Sequence, residues 1–199
     1  MTSPIVVVDY DPQWPQQFEI IRQTLLTALA HVRVLAIEHV GSTSVPGLAA
    51  KPIVDVDVIV DRSQVETATA TLESAGYTPL GNMGVPDRYA FKAPAGSIRQ
   101  NTYVTVDGCL SLRNHLGLRD VLRRDAELRD EYSAIKRRLA AETDDIDVYI
   151  DGKTDIVRRI LERAGLAIDE LDEIEAQRAR VQQQPVGARL HLGWCVQRI

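Results

Sequence analysis

Residues 53–60 read Ile-Val-Asp-Val-Asp-Val-Ile-Val, and this run constrains the fold more than any other stretch of the chain. Every position except the two acids is β-branched, so the run is a strand. Side chains alternate along a strand. Val54, Val56, Val58 and Val60 therefore share one face, and Ile53, Asp55, Asp57 and Ile59 share the other. Two carboxylates then stand side by side in an otherwise apolar row. They repel each other unless a cation or a proton lies between them. A divalent metal is the natural resolution, and oxygen ligands favour magnesium or manganese.

The residues ahead of this strand, Gly41-Ser42-Thr43-Ser44-Val45-Pro46-Gly47-Leu48-Ala49-Ala50-Lys51-Pro52, form a small-residue loop. Such a loop offers backbone N–H groups and hydroxyls, the usual means of holding phosphate. Gly41, Ser42, Thr43 and Ser44 are the candidate phosphate contacts. The loop lacks the Gly-Lys-Ser/Thr of a P-loop and the Gly-x-Ser-x-Gly of a nucleophile elbow. Metal beside phosphate points to phosphoryl or nucleotidyl transfer.

The chain has 199 residues and a net charge of −5. That charge argues against bulk nucleic acid as a partner and leaves room for a single nucleotide. Cys109 and Cys195 are the only cysteines, and they stand in no zinc-binding pattern. Two free thiols, with no leader-like or membrane-spanning apolar run, read as a cytoplasmic protein.

Along the chain, residues 5–8 read as an opening strand. Asp11 and Pro12 read as the cap and first residue of a helix running to about Ala30, with Trp14 and Phe18 in the core. Residues 32–40 form a second strand, feeding the glycine loop. After the acid strand a helix starts near Ser63 and closes at Gly76. Short strands follow at 77–80, 88–92 and 100–106. From Leu110 the period becomes helical: residues 116–122, 128–139 and 156–164 mark successive helices. Residues 170–184 are charged and weakly periodic, a solvated helix or mobile segment. Gln182 to Pro185 looks like a linker, and the tail alternates like a strand at Leu190, Leu192, Trp194 and Val196. The class is α+β: a mixed sheet with flanking helices over residues 1–108, a helical half over 110–165, and a charged extension over 166–199.

The spacing from Gly41-Ser42 to Asp55-Val56-Asp57 resembles the signature of the nucleotidyltransferase superfamily that includes DNA polymerase β. The wider stretch from His39 to Val58 resembles the GrpB family. So do Trp14-x-x-x-Phe18, Asn101-Thr102-Tyr103-Val104, His115-Leu116-Gly117-Leu118-Arg119-Asp120, Tyr132-Ser133-Ala134-Ile135-Lys136 and the pair Tyr149 and Lys153. The family is assigned to the nucleotidyltransferase fold and is sometimes fused to dephospho-coenzyme A kinase. The resemblance implies that Asp55 and Asp57 hold magnesium and that Gly41 and Ser42 meet the nucleotide phosphates.

A third carboxylate normally completes such a site. Asp107 is the only acid on the matching strand face; Asn101 or Tyr103 are the alternatives. Lys51, Arg88 and Lys153 are candidate phosphate cations. Tyr149 and Lys153 lie one helical turn apart, on a stripe continuing through Val157 and Ile160. Tyr103 and His115 are candidates for the acceptor side, and His39 and His115 read either as bases or as structural groups. The reading is a magnesium-dependent (or manganese-dependent) transferase, moving a nucleoside monophosphate from a nucleoside triphosphate to a small acceptor. Its rivals are a binding-only module for a nucleotide or coenzyme A precursor, and an interaction domain built on the charged segment.

Overall fold

The computed structural model describes residues 4–182. In chain order the elements are α1 (Trp14–Ala28), β1 (Val34–Val40), a 3-10 turn (Ser42–Ser44), β2 (Val54–Val60), α2 (Val65–Ser74), β3 (Thr78–Gly81), β4 (Arg88–Lys92) and β5 (Gln100–Val106). Helices follow: α3 (Leu110–Arg124), α4 (Ala126–Glu142), α5 (Ile146–Asp151), α6 (Thr154–Arg163) and α7 (Ile168–Gln182). The strands make one mixed sheet of order β1-β2-β5-β4-β3. The pair β2–β5 is parallel, with Asp55 opposite Asn101 and Asp57 opposite Tyr103. The other neighbours are antiparallel. This is the expected α+β class, strands and helices mixed first and helices alone afterwards.

The period-2 pattern of β2 decides which side of the sheet does what. Val54, Val56, Val58 and Val60 pack with Ile21, Leu25 and Leu29 from the α1 region and with Ala68 and Leu72 of α2. Burying each such side chain stabilises the fold by about 2 kcal/mol relative to exposure. The opposite face carries the acids and is closed by the helical half. There Val45 and Leu48 of the loop join Val121, Leu128, Ile156 and Ile160 in a second core.

Several local expectations are corrected. Residues 5–8 form no regular strand: only Val8 bridges Ala50, while Ile5 and Val7 pack near Tyr149 and Ile150. Helix α1 begins at Trp14, because Asp11 spends its side chain on the Gln13 N–H in a preceding turn. The late helix is two helices. It breaks after Asp151, where a Cβ on Gly152 would stand 2.5 Å from a Leu139 methyl, and Lys153 becomes the residue that caps α6. Over residues 168–182 the charged stretch is a docked helix with a buried stripe. Helix α7 buries Leu171, Ile174, Gln177, Arg178 and Val181 along one stripe. Arg113 pairs with Glu170, and Arg158 with Asp172 and Glu175, which fastens α7 to α3 and α6. The tail strand expected at residues 190–196, Cys195 and the linker from 183 onward lie outside the described residues. Among the described residues no helix is long and apolar enough to cross a membrane.

Candidate functional site

Strand β1 ends at Gly41, whose φ of 67° and ψ of −172° favour a residue without a Cβ. The chain turns there and presents Ser42, whose hydroxyl lies 3.0 Å from Lys136 Nζ on α4. Thr43 and Ser44 are spent on the turn itself. The Thr43 hydroxyl donates to the Ile53 carbonyl at 3.1 Å, so it accepts from His39 Nε2 at 3.1 Å. The Ser44 hydroxyl donates to Gly41 O at 2.6 Å, and Arg123 holds the Ser44 carbonyl. His39 also stacks on Phe18 at 4.7 Å between ring centroids, which makes it a structural histidine.

The two acids of β2 have different surroundings. Asp57 is completely buried. One of its oxygens accepts from the Thr105 hydroxyl at 3.2 Å and the other meets His115 Nδ1 at 2.8 Å. Asp55 accepts from the Asn101 amide at 2.7 Å and lines a cavity between the sheet and the helical half. Val40, Gly41, Ser42, Tyr103 and Lys51 line the same cavity from the sheet side, with His115 of α3. Lys136 and Tyr132 of α4, Tyr149 and Ile150 of α5, Lys153, Val157 of α6 and Arg178 of α7 close it. Its volume is about 50 Å³, room for roughly three or four waters.

The lining is strongly basic. Lys51, Lys136, Lys153 and Arg178 face it with Asp55 as the single carboxylate. Aromatic rings support the ammonium groups. Lys136 Nζ sits 4.4 Å from the Tyr132 ring centroid and Lys153 Nζ 4.5 Å from that of Tyr149. Lys51 Nζ approaches Tyr149 from 5.4 Å. Four buried cations and one acid thus line a single cavity, an arrangement chemically suited to anions.

The donor set fits one magnesium better than two. Asp55 opens on the cavity, and magnesium is commonly held by one or two carboxylates together with substrate phosphates. Asp57 has both oxygens engaged by protein donors and does not line the cavity. Among the described residues no cluster of at least three acids, histidines or cysteines is arranged for a metal.

The structure thus brings Gly41, Ser42, Lys51, Asp55, Tyr103, His115, Tyr149 and Lys153 to one cavity and leaves other expected site residues elsewhere. Asp107 is corrected first. It is exposed in the turn after β5, about 20 Å along the strand from the position opposite Asp55. Asn101 stands opposite Asp55 and Tyr103 opposite Asp57, and neither is an acid. Thr43 and Ser44 are corrected as phosphate contacts, since their hydroxyls serve the turn. Arg88 shares the acid face of the sheet but not the cavity. It is fully buried, its guanidinium lies 4.8 Å from the Tyr103 ring centroid, and among the described residues none of its side-chain nitrogens has a hydrogen-bond partner. Sequence reasoning missed Lys136, Asn114, Tyr132 and Arg178 as cavity residues. A signal existed for two of them: Tyr132 and Lys136 repeat the spacing of Tyr149 and Lys153.

A protein-family model described as GrpB protein matches residues 4–163. The chain belongs to the GrpB family. Among GrpB-like relatives, it is 39% identical over 167 residues to the UPF0157 protein BH1888 of Halalkalibacterium halodurans, covering 81% of this chain and 83% of that protein. It is 32% identical over 189 residues to a protein named dephospho-CoA kinase from Mycolicibacterium paratuberculosis, spanning 81% of this chain and 46% of that longer protein. The crystal structure of the conserved protein GrpB from Enterococcus faecalis superposes with a TM-score of 0.70 at 33% identity, covering 80% of this chain and 96% of that one. The GrpB match ends before α7 begins, so Arg178 comes from outside it.

Proposed function

We propose that this GrpB-family chain is a nucleotidyltransferase-type protein that takes the phosphate chain of a nucleoside triphosphate into the basic cavity and passes the nucleoside monophosphate to a small acceptor. The observation that carries this reading is the meeting of Ser42, Asp55 and three lysines, 51, 136 and 153, around one cavity beside the glycine turn. The lysines and the Ser42 hydroxyl bind phosphate oxygens. Asp55 would hold a single magnesium against them; when bound, the metal neutralises charge on the phosphates. Asp57 fixes the His115 ring by its Nδ1 hydrogen bond, and His115 and Tyr103 form the wall on the acceptor side. Ser42 and the lysines draw the phosphates inward, so base and sugar lie towards the cavity's mouth.

Calorimetry with each nucleoside triphosphate, with and without magnesium, tests the reading. Wild type is expected to bind at least one of them, and Asp55→Asn to lose the magnesium-dependent part. Absence of binding to every triphosphate would overturn it.

A second reading is favoured by one observation: neither Asn101 beside Asp55 nor Tyr103 opposite Asp57 supplies a third carboxylate. In that reading the chain binds a nucleotide or coenzyme A precursor and transfers nothing. Pyrophosphate release across a panel of small hydroxyl and phosphate acceptors separates the two. Release supports the transferase, and tight binding with no release supports the binding module.

A further inference from the structure

We propose that Asn114 and His115 of α3 form a subsite for one hydroxyl group, which makes the acceptor an alcohol and not a phosphate compound. The word acceptor rests on the nucleotidyl-transfer reading above; the subsite itself does not. Asn114 lines the cavity and is 2% exposed. Among the described residues its amide nitrogen has no hydrogen-bond partner. A buried amide N–H without a partner is costly to a fold. A chain keeps one where a group from outside the fold supplies the acceptor.

His115 is the next residue of α3 and lines the same cavity. Its Nδ1 lies 2.8 Å from an Asp57 oxygen, and the other Asp57 oxygen accepts from Thr105. A carboxylate has only lone pairs to offer, so Nδ1 carries the proton of that bond. In the uncharged ring Nε2 then keeps its lone pair, and it is the ring nitrogen left for a ligand. The Tyr103 ring, tilted by 50° at 5.8 Å between centroids, backs the imidazole. His115 therefore accepts a hydrogen bond beside an Asn114 amide that donates one.

That pair of roles names the ligand group. A hydroxyl has one hydrogen to give and lone pairs with which to receive. It gives to His115 Nε2 and receives from Asn114. A phosphate dianion offers lone pairs alone and meets the lone pair of Nε2. A protonated amine only donates and leaves the Asn114 nitrogen unserved. The charge of the wall agrees: α3 lines the cavity with Asn114, His115 and Leu118 and with no lysine, arginine or acid. Leu118 stands one turn beyond Asn114 on the same helix face and offers apolar contact to the carbon that bears the hydroxyl. The same two groups suit a water, and a ligand hydroxyl reproduces that water's hydrogen bonds when it displaces it.

The test is a protein-observed nitrogen NMR titration of wild type at about pH 8, where an ordinary imidazole is uncharged. The probes are glycerol, ethylene glycol and 1,2-dimethoxyethane, the last having its hydroxyls capped by methyl groups. The signals read are the Asn114 side-chain amide, assigned by its loss in Asn114→Leu, and His115 Nε2. Both nitrogens are expected to move together and saturably with the two alcohols and to stay put with the diether. Asn114→Leu should weaken glycerol binding by about fivefold, on the strength of one neutral hydrogen bond. Its thermal midpoint should equal or exceed that of wild type, because it removes a buried amide nitrogen that no described residue bonds. A merely structural asparagine would give a lower midpoint with glycerol binding unchanged, and that result overturns the inference. So does the absence of saturable movement with either alcohol, equal movement with the diether, or movement confined to one of the two nitrogens; the pair then holds water only. If Asn114→Leu does not fold, Asn114→Ala supplies the assignment, and the wild-type titrations decide. Alcohol binding without binding of any nucleoside triphosphate leaves the subsite standing and removes the nucleotidyl-transfer reading. Triphosphate binding with failed alcohol titrations removes this inference alone.

Discussion

Lys136 Nζ lies 3.0 Å from Ser42 Oγ, tying the middle of α4 to the first residue of the glycine turn. Both residues are buried, so the contact is made away from bulk water, where a charge-assisted hydrogen bond is strong. Lys136→Met keeps the length of the stem and removes the charge. Triphosphate affinity is expected to fall by about tenfold or more, one lost charge-assisted contact at 1.4 kcal/mol per decade. The unfolding free energy should move by less than about 1.5 kcal/mol, since the substitution nearly conserves volume. Calorimetry and urea unfolding of the same variant measure the two quantities.

Asp55 and Asp57 should respond differently to the same change. Asp57→Asn puts an amide between Thr105 and His115, both of which now bond carboxylate oxygens in a fully buried position. It is expected to cost about 2–4 kcal/mol of stability. Asp55→Asn borders the cavity and should cost less than half as much while removing magnesium-dependent ligand binding. Paired urea titrations decide the order; a larger stability loss at Asp55 would contradict the assignment of Asp57 to the framework.

Arg88 offers a test of burial without pairing. Among the described residues its buried guanidinium has no hydrogen-bond acceptor, and the Tyr103 ring lies beside it. Arg88→Met removes that desolvation penalty and is expected to stabilise the protein by about 1–3 kcal/mol. A destabilised variant in thermal unfolding would mean that Arg88 supports the sheet in its charged form.

The docking of α7 carries a pH dependence of known sign. The Arg113 hydrogen bonds, and then the Ala167 N–H, hold the Glu170 carboxyl below its ordinary value of 4.5. A group depressed in the folded state stabilises it above the unfolded pKa and loses that contribution as pH falls through the folded one. Acidification from about pH 5 downwards should therefore lower the thermal midpoint of wild type more than that of Glu170→Gln. Parallel melts across that range would show two curves converging at the acid end, and parallel curves would argue against the coupling.

Gly117 lets α3 approach α6. A Cβ there would stand 2.9 Å from the Ala164 methyl, which has no rotamer by which to yield. Gly117→Ala is expected to cost about 1–3 kcal/mol through helix displacement. Adding Ala164→Gly should restore much of it, a coupling that a double-mutant cycle reads directly.

Local patterns made much of this fold legible and left the site half drawn. Strand β2 and its two faces follow from an eight-residue alternation, and the glycine turn from its composition. Parity correctly placed Asn101, Tyr103 and Thr105 on the acid side of β5. Parity does not say how far along the neighbouring strand a residue stands, and for that reason Asp107 was a reasonable candidate that the register removes. In the 3-10 turn, Ser42, Thr43 and Ser44 look equivalent as residues, but each points a different way and only the first reaches the cavity. Lys136 and Arg178 reach it from helices whose packing no local period specifies. The stripe Leu171, Ile174, Arg178 and Val181 was present in the sequence, but the surrounding Asp and Glu residues made α7 read as solvated.

The parallel pairing of β2 with β5 has a bearing on how the chain assembles. Asp55 and Asp57 leave the ribosome well before Asn101, Thr105 and His115, the groups that hydrogen-bond them in the native state. Until that later segment emerges and docks, two adjacent anions have water as their solvent, and the valine side of their strand has nothing to complete its sheet. Closing such a distant parallel pairing is slow compared with local helix formation. Chains truncated near residue 95 and released should therefore carry α1 and α2 as fluctuating helices on an unfinished sheet, with the acid face still hydrated.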